Sequence, residues 1–318
     1  MRTSSSRGET TRGRGILAPF DPWNSPLCTC PFKLSLNPYT GCSFKCLYCY
    51  ATAYIGQRDS TPKKDFLRRL KRELARWDPK LPINMGTSSD PYPPEEAGYG
   101  LTRTALELLV GLGRRVLITT KGVLYAQRDL DLISKGNVAV TPTITLLDPG
   151  LSLIIEPGAP PAEKRIDAVR RAVGAGVPVG VRIDPVIPYV NDDPAMLEDL
   201  VERVAEAGAV FIVTSTYKAR PDNMARMRAA LGSLGERIYR LYRSRGVRVG
   251  GYTYLPEEDR KRLLEPVVKA ARRLGLQYAH CREGFRGREW FNAPSCDGTH
   301  LIPERVEPRA VRLDGWLH

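Results

Sequence analysis

Six short runs rich in β-branched residues, Lys33–Leu36, Ile83–Thr87, Val116–Thr120, Val138–Thr145, Val179–Ile183 and Val210–Thr214, alternate with segments of helical length. Between them Leu67, Leu70 and Leu74, then Ala105, Leu108, Leu109 and Leu112, then Val201, Val204 and Ala205 recur at helical spacing. Such repetition predicts parallel strands joined by helical crossovers, an α/β fold that is either an open doubly wound sheet or a curved β/α barrel. Both place ligands at the C-terminal ends of the strands. Beyond residue 215 the pattern changes to an Arg-rich helical stretch over 220–245, a strand over Val247–Tyr254, a helix over Glu257–Leu274 and an irregular Gly/Cys-rich end. No internal repeat or long linker divides the chain, so one domain with a C-terminal extension is expected.

With 318 residues and 42% hydrophobic content the chain can bury a sizeable core, which excludes disorder for its bulk. No run approaches the ~20 apolar residues of a membrane span, and the N-terminus lacks the apolar core of a secretory signal. A cytoplasmic protein without membrane contact is the expectation, with residues 1–15 a flexible basic tail.

The net charge of +13 is clustered: residues 2–14 carry +3, residues 58–80 carry +5 and residues 220–248 carry +6. Clustered arginine suits contact with phosphates, so DNA or RNA is a candidate partner, although solvated helix faces give the same composition. Late aromatics, among them Tyr189, Tyr217, Tyr252, Tyr254, Trp290 and Phe291, would serve as stacking platforms or as ordinary packing.

Seven cysteines do not suit a disulfide framework, and Cys42, Cys46 and Cys49 crowd into CSFKCLYC directly after the first expected strand. Three thiolates on one loop can converge on a metal centre, and thiolate selects iron–sulfur clusters or zinc. Zinc sites usually pair C-x2-C with a second, distant pair, which this spacing does not do. Only His280, His300 and His318 are available as imidazoles, which weighs against chemistry built on a histidine base. Cys28 and Cys30 precede the first strand, whereas Cys281 and Cys296 lie in the extension near His280 and His300. Together they are candidates for a second iron–sulfur cluster or zinc site, or for small buried hydrophobes.

The C-x3-C-x2-C loop with Tyr48 before its last cysteine resembles the signature of the radical S-adenosylmethionine (SAM) superfamily. LNPYTGCSFKCLYCYA, GTSSDPYPPEE, ITTK, the run from Glu156 through RIDAVRRAVGAGVPVGVRIDPVIP, and CDGTHLI are similar to its spore photoproduct lyase-like branch. The likeness spans about residues 33 to 215 and is strong for superfamily and branch. It implies a partial (β/α)6 TIM-type barrel over 33–218, preceded by an N-terminal extension over 16–32 and followed by an α/β extension over 219–318. It further implies a 4Fe-4S cluster on Cys42, Cys46 and Cys49, whose open iron is chelated by SAM. One electron, from a donor such as ferredoxin or flavodoxin, then yields methionine and a 5'-deoxyadenosyl radical that abstracts a substrate hydrogen.

By position in that family, Tyr48, Thr87, Ser88, Ser89 and Asp90 are candidates for holding the cofactor, with Asp90 also readable as a turn residue before Pro91. Lys121 ends the third strand, and Thr141 and Thr143 sit on the fourth, where their side chains would face the site or simply suit a strand. Glu156, Arg165 and Arg182 are charged groups in apolar surroundings. Arg182 needs an anionic partner, which is either the cofactor carboxylate or Asp184. Spore photoproduct lyase, within that branch, carries a hydrogen-donating cysteine at the second-strand motif, where this chain has Thr87. A hydroxyl is a poor hydrogen-atom donor, so photoproduct reversal by that route is not expected. Nucleic acid or nucleotide is the candidate substrate class, and a non-catalytic, zinc-containing nucleic-acid-binding module is the rival reading.

Overall fold

The computed structural model describes residues 15–20 and 25–307, so the expected basic tail falls outside it apart from Gly15, as do the last eleven residues of the expected extension. Seven parallel strands organise the chain: β1 (Leu34–Leu36), β2 (Ile83–Met85), β3 (Val116–Thr120), β4 (Val138–Pro142), β5 (Gly180–Val186), β6 (Phe211–Thr216) and β7 (Gln277–His280). β1 to β4 form one sheet and β5 to β7 another. Bridges Val140↔Val179 and Thr143↔Arg182 join β4 to β5, so the strands follow one another in chain order. No closed barrel forms among the described residues. The expected α/β class and parallel sheet are present.

The strands read as continuous apolar runs because helices cover them. β3 buries Val116, Leu117 and Ile118, and β4 buries Val138, Ala139 and Val140. Helix Phe66–Leu74 buries Phe66, Leu70 and Leu74 on one face. Helix Pro194–Glu206 buries Leu197, Leu200, Val201 and Val204, and begins where Asp193 accepts a hydrogen bond from the Met196 amide at 3.0 Å, with Pro194 in the first turn.

Three departures from expectation have local causes. The stretch Val247–Tyr254 is a hairpin of Val247–Val249 and Tyr252–Tyr254, because the Gly250-Gly251 dipeptide supplies a two-residue turn. The Arg-rich stretch is two helices, Pro221–Leu231 and Ser233–Arg245, broken at Gly232. The end taken as irregular contains β7, whose four residues pair in register with Phe211 to Thr214. At the other end, Leu17–Pro19 runs antiparallel to β1 and covers its edge, with the Ile16 and Leu17 amides donating to Glu73 at 2.7 and 2.8 Å.

Candidate active site

The loop bearing Cys42, Cys46 and Cys49 follows β1 and is held from two sides. The amide of Leu47 donates to Ile155 O at 2.9 Å and that of Gly158 to Phe44 O at 3.1 Å. At Gly158 a Cβ would lie 2.1 Å from Ser43 O, so only glycine permits this approach. From the other side Asn223 donates to Tyr48 O at 3.1 Å, and Arg226 donates to Leu47 O and Cys49 O at 3.1 and 2.9 Å. Three consecutive carbonyls are thereby satisfied, as a loop shielded from water requires.

All three thiols open onto one cavity at the C-terminal ends of the strands, enclosing about 1160 Å³ of empty space including its open mouth. Burial pushes the Cys42 thiol up to about 11 and raises that of Cys46 further. A buried thiol that resists ionising alone suits a bound cation, which would stabilise the thiolate. Among the described residues no three or more His, Cys, Asp or Glu side chains already stand together as a finished metal-binding arrangement, this trio included.

Tyr48, Thr87, Ser88, Ser89, Asp90, Lys121, Thr143 and Arg182 all line the same cavity. Gly86 turns the chain there with φ +96°, and a Cβ on it would lie 2.1 Å from Thr119 O. Asn37 accepts from the amides of Ser88 and Ser89 at 3.0 and 3.3 Å, and donates to the Thr87 hydroxyl at 3.0 Å. Ser89 Oγ is buried and has no hydrogen-bond partner among the described residues. A polar ligand fits this hydroxyl-rich wall, because an orphaned buried hydroxyl is costly without one.

Asp90 is engaged locally. Its carboxylate accepts from Thr120 Oγ1 at 2.6 Å, the Lys121 amide at 2.7 Å and the Tyr92 amide at 2.9 Å, so it fastens the β2 loop to the end of β3. Burial raises its pKa against these bonds. Arg182 pairs with Asp184 at 2.7 Å, the internal partner anticipated as its alternative. Asp184 also accepts from Ser215, whose hydroxyl accepts from Lys218 at 2.5 Å. Burial raises the Asp184 pKa, but Lys218 and Arg182 together hold it well below the carboxylate range.

Thr141, Glu156 and Arg165 do not line the cavity. Thr141 shares a hydrogen bond with Thr119 at 3.0 Å. Glu156 and Arg165 form a fully buried ion pair behind Tyr48, a placement their charge alone did not disclose. Lys121 reaches both worlds: it lines the cavity, lies 5.3 Å above the Tyr48 ring and stands 4.0 Å from Glu156.

The cavity also recruits Asn84, Asp184 and Lys218, which sequence reasoning did not assign to it. Asp184 lies two residues before the end of β5 and Lys218 two residues beyond that of β6, and nearness to the strand ends was the available signal. Of the late aromatics only Tyr217 lines the cavity. Tyr252 and Tyr254 are buried, Trp290 packs on His280, and Tyr189 is exposed with Arg237 over its ring at 4.4 Å. Of the imidazoles expected beside the second cysteine set, only His300 is engaged by other side chains, whereas neither ring nitrogen of buried His280 has a hydrogen-bond partner among the described residues. His300 bonds to Ser295 and Gln277 at 2.7 and 2.8 Å, and His280 sits among Phe285 and Trp290.

Comparison with known proteins agrees with this geometry. An uncharacterised protein of Mycobacterium tuberculosis is 31% identical over 258 residues, covering 75% of this chain and 73% of the relative. An uncharacterised protein of the Acidianus two-tailed virus is 30% identical over 211 residues, covering 60% of this chain and 69% of the relative. Among solved structures, a mutant spore photoproduct lyase with bound AdoMet and dinucleoside spore photoproduct superposes with a TM-score of 0.59 at 17% identity, over 78% of this chain and 76% of that one. SuiB of Streptococcus suis bound to S-adenosylmethionine gives 0.50 at 17% identity, over 78% and 50%. At that identity the likeness is one of fold. The profile of the Radical SAM superfamily matches residues 36–204, more than half of the sequence, and the chain belongs to that superfamily.

Proposed function

We propose that this radical SAM enzyme binds a 4Fe-4S cluster on Cys42, Cys46 and Cys49 and S-adenosylmethionine in the adjoining cavity, and abstracts hydrogen from a nucleic acid or nucleotide. The observation that carries the reading is that three thiols of one loop open, together with a hydroxyl-rich and charged wall, onto a single cavity at the strand ends. When bound, the cluster and SAM supply a one-electron carbon–sulfur cleavage that gives a carbon radical.

The residues of the chain bind and orient. Cys42, Cys46 and Cys49 would hold the cluster by three thiolates. Ser88, Ser89 and Thr87 offer hydroxyls and Lys121 a cation to an amino-acid moiety, while Asp184 and Lys218 offer one charge of each sign on the wall formed by β5 and β6. Phe44, Tyr48 and Tyr217 supply apolar lining that limits water. Thr87 has its hydroxyl tied to Ser35 and Asn37, so hydrogen return from this position is not part of the reading.

A nucleic-acid substrate is supported by the +13 charge and by the dinucleoside ligand of the photoproduct lyase structure. An electron donor of the ferredoxin or flavodoxin kind, a cytoplasmic setting, and a partial barrel over 33–218 with flanking extensions complete the proposal. A non-catalytic zinc module accounts less well for the cavity, because a structural zinc site closes its thiols into a tetrahedral shell, whereas these three open onto a cavity.

The test is anaerobic reconstitution with iron and sulfide, followed by dithionite and SAM. Formation of 5'-deoxyadenosine is expected, and its loss in a Cys42→Ala variant. An intact cluster that yields none would overturn the reading.

A further inference from the structure

Outside the Cys42 loop, Cys28 and Cys30 at one end of the chain approach Cys281 and Cys296 at the other. Cys30 and Cys296, 266 residues apart, bring their sulfurs to 3.4 Å. Cys28 is hydrogen-bonded through its thiol to Cys30, and the Cys281 thiol lies within electrostatic range of both Cys28 and Cys30. No disulfide joins any of them.

The segments that carry them are fixed independently of the thiols. The Gly284 amide donates to Leu27 O at 3.1 Å, and the Cys281 amide donates to Thr214 O at 2.9 Å, which continues the alignment of β7 on β6. Lys33, three residues after Cys30, and Asp297, next to Cys296, form a buried ion pair. The convergence is therefore a property of the fold, with backbone and ionic contacts on either side of it.

We infer that Cys28, Cys30, Cys281 and Cys296 form a second thiolate metal site, separate from the Cys42 loop, that joins the N-terminal segment to the C-terminal one and touches the cavity through Cys30 and Cys281. Four thiolates are a complete ligand set for one zinc ion or for one iron–sulfur cluster. With a Zn–S bond of about 2.3 Å, the edge of a tetrahedral site is about 3.8 Å, close to the Cys30–Cys296 separation. The surroundings suit an anionic centre: Lys33 lies against Cys30, while Arg182 and Lys218 lie near Cys281. The inference does not depend on the Cys42 loop holding a cluster.

The experiment uses the full chain with Cys42→Ala, Cys46→Ala and Cys49→Ala, purified without oxygen. One arm is reconstituted with ferrous iron and sulfide, the other with zinc, and metal and sulfide are counted against circular dichroism as a check on folding. Retention of about one zinc, or about four irons with about four sulfides, per chain is expected, and the arm that retains its load identifies the centre. Adding Cys30→Ser and Cys296→Ser should remove it. In the otherwise unaltered chain, Cys30→Ser with Cys296→Ser should lower the metal count by that same amount and leave the rest, which keeps the test open if the larger variant misfolds. A folded variant that takes up neither metal, or that holds Cys30 and Cys296 only as a disulfide, overturns the inference. Neither result bears on whether the Cys42 loop cleaves SAM.

Discussion

Tyr48 donates its phenolic hydrogen bond to Glu156, so the aromatic residue inside the cysteine loop is anchored to a carboxylate that never reaches the cavity. Glu156 also accepts from Thr145 at 2.6 Å and pairs with Arg165, which in turn donates to Thr143 O at 3.0 Å. Burial works against the carboxylate's charge, but Arg165 and Lys121 hold its pKa down at about 2. The pair thus stays ionised through the physiological range and braces the loop from behind.

Glu156→Gln leaves Arg165 buried with its charge uncompensated. A loss of about 3–5 kcal/mol is expected, against about 1–3 kcal/mol for Tyr48→Phe, which removes the hydrogen bonds of the phenol to Glu156 and Thr145. Urea unfolding of the metal-free protein checks this, and equal midpoints for Glu156→Gln and the unaltered chain would refute the bracing role.

Ser89→Ala separates ligand from scaffold. Its hydroxyl bonds to nothing among the described residues, so the variant should melt at or above the temperature of the parent. If that hydroxyl meets SAM, the dissociation constant should rise about 3- to 10-fold. Equilibrium dialysis with labelled SAM reads the second effect, and unchanged affinity would remove Ser89 from the binding set.

Gly158→Ala places a Cβ where Ser43 O stands, 2.1 Å away, and displaces the cysteine loop. Overpacking of this kind costs about 1–3 kcal/mol. Iron uptake on reconstitution should fall well beyond what that loss of stability explains, because the thiols sit on the moved segment. Full iron loading at the parent rate would contradict it.

His280 sets a pH limit. Burial beside Phe285 and Trp290 lowers its pKa to about 4 from the usual 6.5, so the unfolded chain takes up the proton first. Stability from this group is complete above about pH 6.5 and is lost as the pH falls toward 4, by at most about 3 kcal/mol. Melting curves across that window should flatten in His280→Phe. A slope identical to the parent's would exclude His280 as the source.

The sequence made the parallel strands legible because each is a short apolar run bounded by an amphipathic helix, and it made the cysteine loop legible because three thiols within eight residues have few other uses. What it hid depends on contacts between distant segments. β7 is too short to announce itself, and only its register against β6 makes it a strand. Glu156 and Arg165 carry the charge of ligands, but their partners are each other. Asn37 is a commonplace residue immediately after a strand, yet it organises three consecutive residues of the GTSSD turn.

The buried pairing of Lys33 with Asp297 carries a consequence for biosynthesis. The cysteine loop leaves the ribosome some 250 residues before Asp297 does. At ordinary rates of translation that is an interval on the order of 12 to 50 seconds, during which the nascent thiols have no finished chamber around them. Closure of the chamber around the thiols therefore waits until the segment bearing Asp297 has been made and has met Lys33.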